Sequence, residues 1–174
     1  MRRPLAASTA AAILGAAALA GSAPAATHSA ATPRITGAGI GKVKVGASYA
    51  SLRERGLVGR INHGCELDGP SARGANLKSP LEGSVTFTSK NPRKVTSITI
   101  TGGASGRDGT GIGSTLADLQ AAYPKAKVDH SVDDTLNVTL VRIPKSDGGR
   151  IMFGVDTDSG KTVAVGVPAL AFCE

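Results

Sequence analysis

Two segments alternate between apolar and small polar residues, which is the pattern of an antiparallel β-hairpin. They run over Ser84–Thr88 and Val95–Thr101. Asn91 and Pro92, which lie between them, are typical turn residues. The sequence therefore predicts a hairpin with one apolar and one polar face.

A second group of strands is predicted farther along the chain. Leu136–Ile143, Arg150–Val155 and Thr162–Val167 are rich in β-branched and apolar residues. The segments between them, Ser146–Gly149 and Asp158–Gly160, consist of turn formers. This pattern indicates an antiparallel meander.

Two short helices are predicted, each preceded by a glycine and a hydroxyl residue. Ser48 is the expected N-cap of the first helix, which carries Leu52 toward the core and ends at Gly56. Thr115 is the expected N-cap of the second, and Asp118 three residues later has capping-box spacing.

An offset of 67 positions superposes much of the second half of the chain on the first. The matched pairs are Gly46 and Gly113, Ser48 and Thr115, Ala50 and Ala117, Leu52 and Leu119, Lys94 and Lys161, Ile98 and Val165, and Ile100 and Val167. At an offset of 66, Phe87 aligns with Phe153. The match spans both helix and sheet, so it indicates an internal two-fold repeat.

These elements predict an α+β fold of two tandem repeats, over residues 35–104 and 105–174. Each repeat is a short helical segment packed on an antiparallel β-meander of three or four strands. The glycine-rich Gly102–Gly113 connects them, and Asn62–Pro80 is predicted to be a long loop with one irregular strand near Cys65–Leu67. Because a short helix covers little of a sheet, the repeats are expected to pack together.

The start of the chain has the features of a signal peptide, predicted over residues 1–26. Two arginines precede the apolar run Ala10–Ala20, and Ala23–Ala25 provides a small-x-small cleavage site. The run is too short to cross a bilayer, and Ser22 stands where a lipoprotein signal needs cysteine. Residues 27–34 are predicted to be a flexible leader. We expect a secreted protein without a lipid anchor.

The chain contains two cysteines, Cys65 and Cys173. An exported chain meets an oxidising compartment, which favours a disulfide between them. This bond would tie the first repeat to the last residues of the second.

Charge is distributed unevenly. Residues 27–104 contain 11 Lys/Arg and 4 Asp/Glu, whereas residues 105–174 contain 7 and 9. One interpretation is a basic face directed at an acidic partner, such as an anionic cell-wall polymer. The other is ordinary solubilising charge. Basic runs are short and lack interleaved aromatic residues, so nucleic-acid binding is not predicted.

Two motifs suggest chemistry but also have structural interpretations. His63 and Cys65 suggest a Cys-His nucleophile, although the expected disulfide would consume the thiol. Gly109–Gly113 leads into a helix start, as a phosphate-binding loop does, but it lacks the Walker lysine. A turn and cap role is the better interpretation.

The acidic segments lack the residue spacing of a zinc, calcium or glycosidase site. His130 lies in a polar stretch with three aspartates without zinc-site spacing, and Asp156–Gly160 only partly matches a calcium loop. Nothing in the sequence places Glu66, Asp68 or Glu82 across a cleft as a glycosidase pair. The sequence thus predicts no catalytic, cofactor-binding or metal-binding residue.

The tandem arrangement of a Gly-Ser/Thr helix start, a Gly/Cys loop and a meander resembles the β-lactamase inhibitor protein fold. Single units are similar to the SmpA/OmlA outer-membrane assembly lipoproteins. The ending Cys173–Glu174 also resembles a group of secreted actinobacterial proteins of undetermined function. The resemblance covers residues 38–174 and implies helix-plus-sheet repeats with a binding role. The inhibitors carry a disulfide within each repeat and an aromatic-rich concave surface, which this chain lacks, so no binding residues are transferred.

The resulting hypothesis is a secreted, non-catalytic and monomeric binding module. Its expected partner is an extracellular protein or an anionic cell-wall polymer, bound by the sheet or by the loop Asn62–Pro80. The alternative is a secreted hydrolase, or an inhibitor of an extracellular enzyme.

Overall fold

A large antiparallel β-sheet dominates the structure, a computed structural model that describes residues 31–65, 69, 71–144 and 149–172. The strands are β1 Ile35–Thr36, β2 Gly39–Ile40, β3 Val43–Lys44, β4 Asn62–His63, β5 Arg73–Asn76, β6 Glu82–Phe87, β7 Val95–Gly102, β8 Lys127–Asp129, β9 Val138–Pro144, β10 Arg150–Asp156 and β11 Thr162–Val167. Strands β1 to β3 form a small sheet, and the others form one eight-stranded sheet in the order β4-β5-β6-β7-β11-β10-β9-β8.

The helices among the described residues are short. They are α1 Tyr49–Glu54, α2 Leu116–Ala122 and α3 Asp133–Leu136, with a 3-10 turn at Arg107–Gly109. Leu52 of α1 and Leu119 of α2 are fully buried in the same apolar cluster as the sheet. Both helices therefore lie on one face of the sheet, which we call the core face.

Strand pairing aligns the apolar side chains of the core face in rows. Ile100, Val165, Phe153, Val141 and Val128 occupy directly opposed positions on five neighbouring strands. The first four are fully buried. Cross-strand contacts of this kind stabilise a sheet, so the core runs without interruption across its middle.

The centre of the sheet joins the two halves of the chain. Strands β4 to β7 come from the first half and β8 to β11 from the second, and β7 pairs with β11. The opposed pairs there are Ile98 with Val167 and Ile100 with Val165.

The structure is mixed α+β, and the hairpins predicted from alternating sequence are present as β6–β7 and β10–β11. Two elements differ from expectation. The predicted loop Asn62–Pro80 contains β4 and β5, which the sequence did not reveal, while Glu66 and Leu67 of its irregular strand lie outside the described residues. The predicted strand Leu136–Ile143 starts later, because Leu136 ends α3 and Asn137 adopts a left-handed φ of 54°.

The predicted leader is partly structured. Ser105 N donates to Pro33 O at 3.0 Å, and Gly41 N donates to Arg34 O at 2.9 Å. Ordered structure thus begins before the predicted boundary at Ile35. The predicted signal peptide lies outside the described residues.

Candidate functional site

The face of the sheet opposite the core face is divided by the segment that follows β11. We call residues 168–172 the strap. Its side chains Leu170 and Phe172 pack against Val138, Leu140 and Met152 of β9 and β10. This second apolar cluster is separate from the main core, so the strap covers the second half of this face.

Two glycines make room for the strap. A Cβ on Gly166 would overlap the carbonyl oxygen of Ala169 and lie 2.5 Å from the Cα of Leu170. A Cβ on Gly154 would lie 2.9 Å from Leu170 Cδ2. Glycine inside a strand often marks a close approach of another backbone. Gly154 and Gly166, each inside a strand, are therefore the sequence signal of the strap.

The first half of the same face carries small polar side chains, which we call the polar patch. They are Asn62, Asn76, Ser84, Thr86 and Ser97, from β4 to β7. All are at least partly exposed. Strand register places Thr86 between Gly74 and Ser97, and Ser84 beside Asn76. A depression of about 340 Å³ lies over this region, offering hydroxyl and amide groups to a ligand.

The strap ends near Cys65. Ala171 N donates to Thr99 Oγ1 at 3.2 Å, and Cys65 Sγ lies 3.3 Å from Phe172 O. Cys65 is buried. Cys173 lies outside the described residues, so the Cys65–Cys173 disulfide stays a prediction. Phe172, which precedes Cys173 in the sequence, lies beside Cys65. His63, the proposed partner of a Cys nucleophile, is exposed on β4 and pairs with Arg73 in the ladder.

Ser48 and Thr115 are the N-caps of α1 and α2. Ser48 Oγ accepts from Ser51 N at 3.2 Å. Thr115 forms a full capping box, in which Asp118 Oδ2 accepts from Thr115 N at 2.8 Å. The first turn of α1 has no acidic residue, so the two caps differ in charge.

This difference changes the surroundings of two equivalent lysines. A backbone β-bridge joins Lys161 to Thr115. Hydrogen bonds from Thr115 are the main cause that lowers the pKa of Asp118 below its ordinary value, and the charge of Lys161 is a smaller one. A backbone β-bridge likewise joins Lys94 to Ser48. There the position that corresponds to Asp118 is occupied by Ser51. The second half therefore places a carboxylate near its lysine, whereas the first half has Ser51 at the equivalent position.

Two side-chain contacts of the second half involve aspartates. Arg142 forms an ion pair with Asp129, and His130 Nδ1 lies within hydrogen-bond distance of Asp133 Oδ2, at 2.7 Å. Hydrogen bonds from Ser131 and the charge of Arg142 lower the pKa of Asp129.

Lowered carboxyl pKa values predict an acid-sensitive fold. A depressed Asp pKa adds stability above the unfolded-state value, and this is lost as pH falls through the folded-state value. Because hydrogen bonds from Thr115 lower the pKa of Asp118, we expect Asp118→Asn to reduce the fall in melting temperature below about pH 4. Melting curves between neutral and acidic pH measure this. An unchanged acid dependence in the variant would exclude the Asp118 carboxylate as its source.

The partial calcium-loop motif is a hairpin turn. Asp156 Oδ1 accepts from Ser159 Oγ at 2.6 Å and from Ser159 N at 2.8 Å, and these bonds lower the pKa of Asp156. Asn137 Nδ2 donates to Asp158 Oδ2 at 2.9 Å. The carboxylates are thus used to fix the β10–β11 turn.

The glycine-rich loop has internal partners for its amides. Gly111 N donates to Ser114 Oγ at 3.0 Å, and Gly113 N donates to Thr162 O at 2.8 Å. A phosphate cradle requires such N–H groups to point at the ligand. Their use within the chain favours the turn and cap role.

The other sequence candidates do not come together. Glu82 is exposed on β6, while Glu66, Asp68 and His28 lie outside the described residues. Within the described ranges, no group of three or more His, Cys, Asp or Glu side chains is arranged to hold a metal ion. None of the helices in this part of the chain is long and apolar enough to cross a membrane.

No protein-family model, curated protein or solved structure matches this chain. What the protein binds is therefore inferred from the geometry and charges of its surface.

Proposed function

We propose that the protein is a secreted, non-catalytic binding module that engages an anionic cell-wall polymer through its basic first half. The observation that carries this proposal is the excess of basic side chains in that half. Residues 27–104 hold 11 Lys/Arg against 4 Asp/Glu, whereas residues 105–174 hold 7 against 9.

The proposed architecture is a pair of helix-plus-meander repeats similar to the β-lactamase inhibitor fold. Matched hydrogen bonds support it, because two backbone contacts between helix start and sheet in the first half recur 67 positions later. They are Gly46 N to Val95 O and Gly113 N to Thr162 O, both 2.8 Å, and Val95 N to Ala47 O at 2.9 Å and Thr162 N to Ser114 O at 2.8 Å. The bridges Ser48–Lys94 and Thr115–Lys161 follow the same offset.

The central ladder also supports the repeat. Under the 67-residue offset, Ile98 corresponds to Val165 and Ile100 corresponds to Val167. The pair Ile98–Val167 therefore corresponds to the pair Val165–Ile100, and both pairs are present in the ladder. This is the relation expected of a local two-fold axis between β7 and β11.

Within the proposed repeat, strand register favours a different counterpart for Phe153. Phe153 pairs with Val165, and Val85 pairs with Ile98. If Ile98 corresponds to Val165, as the 67-residue offset predicts, Phe153 corresponds to Val85, two positions before Phe87.

Surface lysines of the first half are suited to a polyanion. Lys44, Lys90 and Lys94 are exposed. Backbone bonds place two of these segments together, since Gly46 and Tyr49 donate to Val95 O and Arg93 O. Clustered charges of one sign attract an oppositely charged polymer and lose much of that attraction as salt rises.

A matched pair of triple variants tests this function. We expect the triple change of Lys44, Lys90 and Lys94 to Gln to weaken binding to isolated cell-wall sacculi by about tenfold or more, on the scale of about 0.5 kcal/mol per charge contact. The control changes three exposed lysines of the second half to Gln, which are Lys125, Lys127 and Lys161. Both variants lose the same formal charge.

Binding is measured by co-sedimentation at low and high salt, with sacculi before and after chemical removal of their anionic polymers. Equal losses in both variants would show that net charge, not the first half, determines binding. Equal binding to stripped sacculi would exclude the anionic polymer as the ligand. Among the described residues, no arrangement of side chains favours a hydrolase or an enzyme inhibitor over this binding role.

A further inference from the structure

We propose that the polar patch binds one chain of the polymer, and that this polymer carries uncharged, hydroxyl-bearing units between its anionic groups. The inference rests on the proposed function, because it names the chemical class of the polymer bound there. Its evidence is the order of groups along the sheet face. Hydroxyl and amide side chains lie between two exposed lysines, Lys94 and Lys78.

Lys94 lies at the end of the patch nearest the turn between β6 and β7. Phe87 and Val95 pair in the ladder, and both are buried in the core. The next pair outward is Thr88 with Lys94, since Thr88 N donates to Lys94 O at 2.9 Å. Successive side chains of a strand point to opposite faces. Lys94 therefore lies on the same side of the sheet as the polar patch.

Lys78 lies at the opposite end of the patch. It follows Asn76 by two residues, and Leu77 between them is buried in the core. Alternation thus directs Lys78 to the side of Asn76. Four residue steps lead from Thr88 to Ser84, which pairs with Asn76, and two more lead to Lys78. The two lysines are therefore separated by roughly 20 Å along the strand direction.

The middle of the patch offers hydrogen-bonding groups without charge. Within the described part of the chain, no hydrogen bond engages the hydroxyls of Ser84, Thr86 or Ser97. Thr99, at the border with the strap, differs because its hydroxyl accepts from Ala171 N. A hydroxyl group both donates and accepts. The three unengaged hydroxyls are therefore suited to the hydroxyls of a ligand.

The one acidic residue of strands β4 to β7, Glu82, turns away from the patch. It pairs with Gly102, and a Cβ on Gly102 would lie 2.6 Å from Glu82 Oε2. Gly102 follows the buried Ile98 and Ile100 at alternate positions of β7, so that Cβ would point to the core face. The Glu82 carboxylate thus lies on the core side, where it does not oppose an anion on the patch.

This order of groups fits a polymer with widely spaced charges. A densely charged chain would hold further anions against the uncharged hydroxyls, where they lose hydration without gaining an ion pair. A chain with hydroxyl-bearing units places its anions at Lys94 and Lys78 and hydrogen-bonds the residues between them. A site of this kind discriminates against a chain without hydroxyls, because its own polar groups are then left unpaired.

The test compares two synthetic polymers of equal length on the full secreted protein. Poly(glycerol phosphate) has a hydroxyl between its phosphodiesters, and poly(1,3-propanediol phosphate) has the same charge spacing without that hydroxyl. We expect the first to bind about tenfold more tightly, since several hydrogen bonds distinguish the two. Isothermal titration calorimetry at low salt measures both affinities.

Matched variants locate this preference on the protein. Ser84→Ala/Thr86→Val removes two hydroxyls of the patch and should abolish the preference for poly(glycerol phosphate). The control Ser131→Ala/Thr135→Val removes the same groups at exposed positions of the second half and should retain it. Melting curves establish that each variant is folded.

A single lysine tests the far end of the patch. Lys78→Gln should weaken the binding of poly(glycerol phosphate) by about two- to fivefold, the range for one exposed charge contact. Lys127→Gln removes the same charge from an exposed position of the second half and should have a smaller effect.

The outcomes separate this inference from the proposed function. Equal affinity for the two polymers, or a preference that survives in Ser84→Ala/Thr86→Val, would overturn the inference. The polymer-binding function would stand in that case if the triple lysine variant still bound sacculi more weakly. Binding to sacculi without binding to either polymer would also overturn the inference alone. Binding to neither sacculi nor polymers would overturn both.

Discussion

Phe153→Ala lowers the free energy of unfolding by about 3–5 kcal/mol, the range for truncating a fully buried aromatic side chain. Phe153 is 0% exposed and lies between Val165 and Val141 in the core face. Its ring also packs against Tyr123, with centroids 5.9 Å apart. Truncation leaves a cavity at the middle of the sheet, where neighbouring strands prevent collapse. Urea unfolding measures the loss.

Val163→Ala is the control for this prediction. Val163 lies on the neighbouring strand β11, but its side chain is 42% exposed. We expect this change to cost about 0.5 kcal/mol or less. If both variants lost similar stability, the central position assigned to Phe153 would be incorrect.

Gly103→Ala has the second large effect, and we expect a loss of more than about 4 kcal/mol, or failure to fold. Gly103 has φ of +81°, and a Cβ there would overlap the backbone carbonyl oxygen of Pro80. Backbone atoms cannot move aside as a flexible side chain does. The alanine must therefore shift either the end of β7 or the turn before β6.

Gly113→Ala separates this overlap from the cost of the left-handed backbone. Gly113 has nearly the same φ, +85°, but a Cβ there meets nothing within 4 Å. Left-handed backbone alone costs about 1–2 kcal/mol for alanine. Thermal melting of the two variants gives the difference. Similar losses would mean that the close approach to Pro80 has no energetic consequence.

The hairpins were predictable from sequence because their side chains alternate between a buried and an exposed face. Ile98 and Ile100 show this alternation, since both are buried and Ser97 and Thr99 beside them are small, polar and partly exposed. The helix starts at Ser48 and Thr115 were predictable for a similar reason, because a cap is a local interaction within three residues.

Strand β5 shows what local patterns miss. Its sequence Arg73–Asn76 includes glycine and asparagine, which have low strand propensity. It is a strand because β6 offers it a complete ladder, from Arg73 opposite Phe87 to Asn76 opposite Ser84. Such pairing depends on the neighbouring strand, which the residues of β5 alone do not reveal.

The candidate site was less predictable than the fold. The charge imbalance of the first half is visible in composition, but the effect of Lys161 on the pKa of Asp118 depends on which side chains the fold brings near each other. The strap is a longer-range case, because Leu170 covers Gly154 and Ala171 reaches Thr99. Nothing within the strap itself indicates where it docks.

The pairing of β7 with β11 also constrains how the chain is made. Strand β7 ends at Gly102, but its partner begins only at Thr162. During synthesis, strands β4 to β7 therefore present an unpaired edge until nearly all of the second half has emerged. An unprotected edge can recruit the edge of another molecule, so folding intermediates of this protein are expected to need dilution or a chaperone. Slow production of the second half would then favour aggregation without altering the stability of the finished protein.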